Sequence, residues 1–547
     1  MTNDSSNKQN PPEQESGLPR RDFIKAAGAG AGMLLMGGAN ENLLIPDPSR
    51  ISNVRPAAAS PEIIVIGAGL WGSFTALNLR RLGAKVTIVD AYGPGNGRST
   101  SGDETRGVRS SYGDRAGAQG ETWMLWARES MTKWKDFDAE WGKQLRLNLF
   151  HQCGDMIFRP EWDNFQLRCK VWWDKNKIPY EILNPVDVRK AYPVFSIDDI
   201  TAIIYEPDAG VVRARRAAQA AAAAFEALGG KIVIGRATPS KFSNGKLEEI
   251  SLDTGETLRA DTFVFAVGPW LGKTFPDLFA KKTRVPMGYV VYFATPIGDH
   301  RFTYPNLPTY NFPGVTGWPA LPVDNRGFRV RGAERAPTPA QAATTNGPNT
   351  PVSTAGTATD TGSNLANAGR GAGAAGSANA NAGGDGRGGA GRGANAAGAA
   401  GANAAGGGRG QGGGNQQQQD VPPQQQDPDT SDRWADQTRI DGSRRFVAHR
   451  FPLLKDAPVA QTHSCHYEST VTGNFIIDKH PQWSNVWISA GGNAEGAKFA
   501  PKIGDYVANR VMGKTDPVDK QFKIPDAEYP PPPPPTPADS TRARPPE

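Results

Sequence analysis

The chain has 547 residues, enough for two or three domains with their own cores, so its folding does not require disulfide cross-links. Its three cysteines, Cys153, Cys169 and Cys465, exclude a disulfide-built secreted scaffold, because an odd number leaves at least one thiol unpaired. The 61 basic and 55 acidic residues give a net charge of only +6, too small and scattered an excess to indicate a nucleic-acid-binding protein.

The N-terminal segment contains an arginine pair, in Arg20 to Lys25, followed by a weakly apolar run from Ala26 to Ala39. This pattern resembles a twin-arginine export signal, and the run is too short to span a bilayer permanently. The alternative is a surface basic pair before a short helix. We therefore interpret residues 1–59 as signal and linker, and expect a periplasmic or otherwise exported protein that uses the twin-arginine machinery. Such signals carry proteins that are already folded, so a cofactor is expected.

A dinucleotide motif follows directly. The apolar run Glu62 to Ile66 predicts a strand, and it leads into a turn that contains Gly67, Gly69 and Gly72 and then into a helical pattern. In such a motif the first glycine makes the turn, the second admits the pyrophosphate, and the third lets helix and strand pack closely. The free N–H groups at the start of the helix favour phosphate.

An acidic residue completes the motif. Lys85 to Val89 predicts a second strand that ends in Asp90, 18 residues after Gly72 and placed to bind the adenosine ribose. Further along, a helix from about Arg213 to Leu228 is followed by strands at Lys231 to Ile234 and Thr262 to Val267. This motif predicts a dinucleotide site but does not distinguish FAD from NAD.

The downstream segments resemble one family. They are Gly102 to Gly113, Cys465 to Tyr467, Phe475 to Pro481 and Gly491 to Phe499. In this order they are similar to the monomeric sarcosine oxidase and N-methyltryptophan oxidase family of FAD amine oxidases, which are D-amino-acid-oxidase-like oxidoreductases. The resemblance covers about residues 60–520, apart from a low-complexity insert.

The resemblance implies an α/β fold in which a discontinuous, Rossmann-like FAD-binding domain is interleaved with a mostly antiparallel β-sheet substrate domain. We assign residues 60–140, 209–275 and 470–522 to the first domain and residues 141–208, 276–336 and 427–469 to the second. Residues 523–547 form a proline-rich tail.

The resemblance also implies roles for individual residues. Cys465 would be bonded through sulfur to the 8-methyl group of FAD, and its alternatives are an inert cysteine or a metal ligand beside His463 and His466. The neighbouring histidines and basic residues are expected to favour the thiolate. No metal is expected. The residues with implied roles at the flavin are Arg106, Gly268 and Trp270.

Two basic residues, Arg109 and Lys498, are implied to bind a substrate carboxylate. The family's lysine over the flavin, which assists reaction with oxygen, is replaced here by Arg329 in the segment Gly327 to Val330. Arginine keeps the charge but differs in size and hydration. Reaction with O2, giving H2O2, is expected, with another electron acceptor as the alternative.

The segment 337–426 is rich in Gly, Ala, Asn and Gln, and we interpret it as a disordered insert, because it cannot bury enough apolar surface to fold. A tolerated surface loop is the main expectation, with envelope contact through this insert or the tail as an alternative and no role in nucleic-acid binding. The predicted function is oxidation of the C–N bond of a secondary amine or N-substituted amino acid. The alternative class is a non-catalytic binding or maturation protein with an FAD fold.

Overall fold

The computed structural model describes residues 60–115, 117–321, 326–334 and 425–530. The predicted export signal and the tail beyond residue 530 lie outside the described residues, as does the predicted insert apart from its last two positions. All described residues belong to one compact unit of the chain.

The strands are short and lie throughout the described ranges. In chain order they are β1 (Glu62–Ile66), β2 (Lys85–Asp90), β3 (Arg106–Val108), β4 (Phe150–Gln152), β5 (Asp155–Arg159), β6 (Glu181–Leu183), β7 (Ala202–Glu206), β8 (Gly210–Val212), β9 (Lys231–Ile234), β10 (Ala237–Ser243), β11 (Lys246–Leu252), β12 (Thr257–Arg259), β13 (Thr262–Phe265), β14 (Thr283–Arg284), β15 (Met287–Phe293), β16 (Thr309–Phe312), β17 (Val315–Trp318), β18 (Phe328–Arg331), β19 (Val459–His466), β20 (Ser469–Thr470), β21 (Ile476–Lys479) and β22 (Val486–Ala490).

The helices are fewer than the strands. They are α1 (Leu70–Arg81), α2 (Gly117–Leu145), α3 (Asn164–Lys175), α4 (Pro185–Ala191), α5 (Ala214–Ala227), α6 (Leu271–Thr274), α7 (Pro276–Phe279), α8 (Gln437–Arg450) and α9 (Ala500–Val511). No helix in the described ranges is long and apolar enough to cross a membrane.

The six-stranded sheet has the order β21-β22-β13-β1-β2-β9 and is parallel except for the edge pair β21–β22. Its central strand β1 is an almost fully buried apolar run, as expected for a parallel sheet covered on both faces. Helix α1 packs between α5 and α9, where the Cα of Gly504 comes so close to Phe74 that a side chain would not fit. Distant segments of the chain build this sheet, which confirms the predicted discontinuous Rossmann-like fold.

The eight-stranded sheet has the order β19-β15-β18-β17-β16-β5-β7-β6. Every neighbouring pair is antiparallel except β16–β5. An aromatic core that includes Phe158, Tyr310, Phe312 and Phe451 lies on one face. The mostly antiparallel second sheet is thereby confirmed, and its strands β18 and β19 carry Arg329 and Cys465 towards the first sheet. The domain boundaries given above stay a prediction.

Candidate active site

One cavity of about 640 Å³ lies where the carboxyl ends of the parallel strands meet the eight-stranded sheet. Every residue assigned a cofactor or substrate role from the sequence lines it, with the exception of Gly72. These lining residues are Gly67, Gly69, Asp90, Arg106, Arg109, Gly268, Trp270, Arg329, Cys465 and Lys498. The predicted residues therefore come together from segments that are far apart in the sequence.

The glycine turn adopts the conformation that the motif predicts. Gly67 has φ of +105°, and a Cβ there would lie 2.3 Å from the carbonyl oxygen of Ala266 on strand β13's C-terminal side. A Cβ on Gly72 would lie 1.8 Å from the carbonyl oxygen of Gly67, so only glycine allows helix α1 to approach the turn. Gly72 thus acts by packing behind the cavity. The start of α1, where the Leu70 N–H donates to Ser101 Oγ at 3.0 Å, faces the cavity and suits a phosphate.

Asp90 organises the loops around this end of the cavity. Its carboxylate accepts hydrogen bonds from the backbone N–H groups of Ala68 at 2.7 Å and of Tyr92 and Gly93, both at 2.8 Å. Burial raises the pKa of Asp90, although these hydrogen bonds oppose the rise. The residue therefore fixes the shape of the dinucleotide site in addition to lining it.

Trp270 lies at the same end and donates from Nε1 to Asp429 at 2.8 Å. Asp429 also accepts from Arg236 at 2.9 Å and from Lys273 at 2.6 Å. Burial alone would raise the pKa of Asp429, but these donors hold it well below its usual value. Asp429 was not predicted from the sequence, because it follows a low-complexity segment closely and belongs to no motif.

Cys465 lies on β19 opposite Gly288, and its sulfur accepts a hydrogen bond from Arg106 Nη2 at 3.2 Å. The guanidinium of Arg106 is also paired with the buried carboxylate of Asp103. Burial, together with the nearby guanidinium groups of Arg329 and Arg331, lowers the pKa of Arg106 to about 10, despite its attraction to Cys465. Arg106 remains a cation at neutral pH and is the charged partner of the thiol.

The histidines near Cys465 do not have the role expected for them. Burial and surrounding arginines lower the pKa of His463 to about 3 and that of His466 to about 4, so both rings are neutral at pH 7. The His466 ring contacts Ser431 and Arg433. The expectation that these histidines favour a thiolate was wrong, because burial, together with repulsion from the arginines of the same cluster, keeps both rings uncharged. Within the described ranges, no group of three or more His, Cys, Asp or Glu side chains is placed to hold a metal ion.

Arg329 is held rigidly. Its side chain is 1% exposed, its Nη2 donates to Asp103 at 2.8 Å, and its guanidinium carbon lies 3.8 Å from the ring centroid of Trp318. Tyr292 donates a further hydrogen bond to Asp103 at 3.0 Å. Asp103 thus joins Arg106, Arg329 and Tyr292 in one buried cluster, the Asp103 cluster. Arg329 Nε and Nη1 are buried and have no hydrogen-bond partner in the described part of the chain.

Arg109 and Lys498 line the same cavity, and both are buried. Burial disfavours the charged form of Arg109, but Asp155 and Glu495 outweigh this and raise its pKa. Lys498 Nζ is bonded to Glu495 and lies 5.2 Å from the ring centroid of Tyr112. The two cations assigned to a substrate carboxylate are therefore close to a carboxylate of the protein itself.

The Glu495–Lys498 pair is ionised at neutral pH. Burial alone would raise the pKa of Glu495, but Lys498, Arg109 and Arg331 lower it to about 2. Burial lowers the pKa of Lys498 to about 8, with Glu495 opposing the change and Arg109 adding to it. The segment Gly491 to Phe499 was recognised in the sequence, but the role of Glu495 within it was missed.

Arg331 is the other missed residue of this region. It lies on β18 two positions after Arg329 and also lines the cavity. Alternate residues of a strand share a face, so the sequence Arg329-Val330-Arg331 predicts that Arg331 lies on the same face as Arg329.

These residues fit FAD. The glycine turn and the start of α1 suit the pyrophosphate, and the orphaned nitrogens of buried Arg329 point to a polar ligand in the cavity. Cys465 and its arginine partner lie in the same cavity.

Comparison with known proteins agrees with the fold and the cofactor. The chain is similar to the N-methyl-L-tryptophan oxidases of Yersinia pestis (strain Pestoides F) and Yersinia pseudotuberculosis serotype O:1b (strain IP 31758), with 25% identity over 218 residues in each case. Each alignment covers 40% of this chain, which spans only 56% of the length of these curated relatives.

Solved structures with the same fold include fructosamine oxidase (Amadoriase II) from Aspergillus fumigatus, with a TM-score of 0.60 and 18% sequence identity. This alignment covers 86% of the present chain and 90% of the fructosamine oxidase chain. L-proline dehydrogenase from P. horikoshii also has a TM-score of 0.60, with 16% identity and coverage of 85% and 97%. The family model described as FAD dependent oxidoreductase (DAO) matches residues 62–362, just over half of the chain. The chain belongs to this family of FAD-dependent oxidoreductases.

Proposed function

We propose that this protein is an exported FAD-dependent oxidoreductase that oxidises the C–N bond of a secondary amine or an N-substituted amino acid, as sarcosine oxidases do. One observation carries the proposal: a single cavity joins the glycine turn at Gly67 to the Cys465–Arg106 pair and to the buried cations Arg109 and Lys498. The similarity to N-methyl-L-tryptophan oxidases, whose name specifies an N-methylated amino acid, supports this substrate class.

In the proposed reaction the amine loses a hydride from the carbon next to nitrogen and a proton from nitrogen, and the resulting imine is hydrolysed by water. FAD, when bound, takes up the two electrons and transfers them to dioxygen, which gives hydrogen peroxide. The residues of the chain orient the substrate and exclude water from it, and a well-oriented complex is itself a large source of rate enhancement. No protein acid or base is assigned to the hydride step.

We also propose that Cys465 attaches FAD covalently. Its sulfur lies in the cavity and is hydrogen-bonded to the cation Arg106, which stabilises negative charge on sulfur. Such attachment would remove one hydrogen from the Cys465 thiol and one from the 8-methyl group, and dioxygen would take up the two electrons and two protons as hydrogen peroxide. Cys153 and Cys169 do not line this cavity.

The choice of electron acceptor depends on Arg329. Its cation supports reaction with dioxygen by attracting the negative charge that develops on oxygen. Asp103 already neutralises part of the positive charge of the cluster, and this favours a second candidate, a dehydrogenase that passes electrons to another acceptor. Export through the twin-arginine pathway to the periplasm, and contact of the insert or tail with an envelope component, remain proposals based on the sequence alone.

The proposed function can be tested by anaerobic reduction of the purified flavoprotein. We would mix it with N-methyl amino acids, other secondary amines and unsubstituted amino acids, and follow the flavin absorbance. Bleaching by a secondary amine supports the proposal, and admission of air then separates oxidase from dehydrogenase by the rate of recovery. Protein that is bleached by dithionite but by no amine would contradict it and favour the non-catalytic binding protein.

A further inference from the structure

We propose that the carboxylate of the substrate is bound by Arg109 and Arg331. Lys498 does not bind it, because Lys498 is already paired with the carboxylate of Glu495. This inference rests on the proposed amine-oxidising function and specifies its substrate class as amines that carry one carboxylate. It replaces the carboxylate-binding pair implied by family resemblance, Arg109 with Lys498, by a pair that the structure of this chain favours.

The loop before Glu495 fixes the position of its carboxylate. It follows Asn493 and Ala494, two consecutive non-glycine residues with positive φ, 47° and 62°. Asn493 stabilises this conformation, because its side chain accepts from the Thr470 N–H at 2.9 Å and donates to the Asn474 carbonyl at 2.9 Å. Unfavourable backbone conformations persist where the surroundings enforce them, and they concentrate at functional sites. The loop therefore holds the Glu495 carboxylate in the cavity.

Glu495 already neutralises the positive charge of Lys498. The side chains of Lys498 and Glu495 are 5% and 10% exposed and are bonded to each other. The backbone of Lys498 is also fixed, because Trp134 Nε1 donates to its carbonyl at 3.0 Å. A substrate carboxylate would have to displace Glu495 from Lys498 and leave a buried carboxylate without its partner, which is strongly unfavourable.

Arg109 and Arg331 are both available to a ligand in the cavity. Arg109 and Arg331 both line the cavity, and neither forms an ion pair or a side-chain hydrogen bond with any residue in the described ranges. Arg331 is paired in register with Thr316 across β17 and β18, and Thr316 also lines the cavity. Planar guanidinium groups bind carboxylates through two parallel hydrogen bonds, which Lys498 cannot do.

The charge balance indicates one carboxylate. Arg109, Arg331 and Lys498 provide three positive charges, and Glu495 cancels one of them. Asp155, which is 1% exposed and interacts electrostatically with Arg109, cancels a second. Asp114 also interacts with Arg109, but its charge is balanced by the neighbouring Arg115. One positive charge remains, so a monocarboxylate suits this end of the cavity better than a dicarboxylate or an amine with no acidic group.

The test uses acetate, a carboxylate without an amine, and acetamide, its neutral analogue. The dissociation constant of each is measured on the flavin-containing protein from the change in flavin absorbance. We expect acetate to bind, and Arg331→Met and Arg109→Met each to weaken its binding about 10- to 150-fold, the range for a hydrogen bond between charged groups. Acetamide binding should change by less than about threefold, and Arg331→Lys should restore part of the acetate affinity.

Three further variants sharpen the comparison. Lys498→Met should weaken acetate binding less than Arg331→Met does, and Glu495→Gln should strengthen it, because Lys498 is then released. Arg326→Met is the matched control: Arg326 lies just before β18 but is paired with Glu104 at 3.4 Å, outside the residues that line the cavity. This control should bind acetate as the parent does.

Failure of acetate to bind the parent would overturn the inference, as would equal losses in Lys498→Met and Arg331→Met or unchanged binding in Arg331→Met. The proposed function is judged separately, from flavin reduction by amines. If acetate binding follows the expected pattern but no amine reduces the flavin, the anion site is established and the proposed function is wrong.

Discussion

Replacing Asp103 with Asn should destabilise the protein strongly. Asp103 is 1% exposed and is the shared partner of Arg106 and Arg329, so Asp103→Asn leaves buried guanidinium groups without their counter-charge. Breaking a buried ion pair from one side costs about 3–5 kcal/mol.

The expected change in melting temperature follows from this free energy. Roughly 380 described residues, at about 2.1 cal/mol/K each, give an unfolding entropy of about 0.8 kcal/mol/K. A loss of about 3–5 kcal/mol then lowers the melting temperature by about 4–6 °C. The measurement is a thermal unfolding scan on preparations with equal flavin content, because bound cofactor itself stabilises the fold.

Two further variants make this prediction specific. Asp299→Asn removes the charged partner of the exposed side chain of Arg301, at 2.7 Å. This change should lower the melting temperature by about 1 °C or less, since surface ion pairs contribute about 0–1 kcal/mol. The double variant Asp103→Asn/Arg329→Met should be more stable than Asp103→Asn alone, because both charges of one buried pair are then absent. Equal losses for Asp103→Asn and Asp299→Asn would refute this account of the Asp103 cluster.

Other variants test separate parts of the structure. Glu206 is fully buried, and burial raises its pKa to about 7, so the folded protein holds a proton that the unfolded chain releases near pH 4.5. The free energy of unfolding should therefore fall by up to about 3 kcal/mol as the pH rises from about 4.5 to 7. Glu206→Gln should flatten this dependence in melting scans at pH 5 and pH 8. Gly72→Ala should abolish flavin binding, because the new Cβ would lie 1.8 Å from the Gly67 carbonyl oxygen. Gly97→Ala places its Cβ in open space and should bind flavin normally. The absorbance spectrum of each purified protein measures its flavin content. For oxygen, stopped-flow mixing should show rapid reoxidation of the reduced parent; reoxidation no faster than free flavin, with strong acceleration in Arg329→Lys, would indicate a dehydrogenase.

The parts of this protein that could be predicted from sequence are those encoded locally. The turn from Gly67 to Gly72 and the acid at Asp90 are constrained by backbone geometry within one strand-helix-strand unit, so their spacing alone indicates a dinucleotide site. Family resemblance added the distant positions Cys465 and Lys498, which line the same cavity.

The missed residues act through contacts that depend on tertiary structure. Asp103 gains its importance from Arg329, 226 positions away in the sequence, and nothing near Asp103 indicates that partner. Glu495 was visible in the sequence, but its bond to Lys498 depends on the turn at Asn493 and Ala494. The expectation for His463 was wrong because burial and, in addition, the surrounding arginines keep its ring neutral, and both effects arise only on folding.

A single anaerobic turnover tests the central claim most directly. The flavoprotein is mixed with a limiting amount of the N-methyl amino acid that bleaches it fastest, and the reduced flavin and the carbonyl product are both quantified. Amine oxidation predicts one carbonyl product for each flavin reduced, and slower bleaching when the hydrogens on the carbon next to nitrogen are replaced by deuterium. Flavin reduction without a carbonyl product, or no reduction by any amine that binds, would contradict the account.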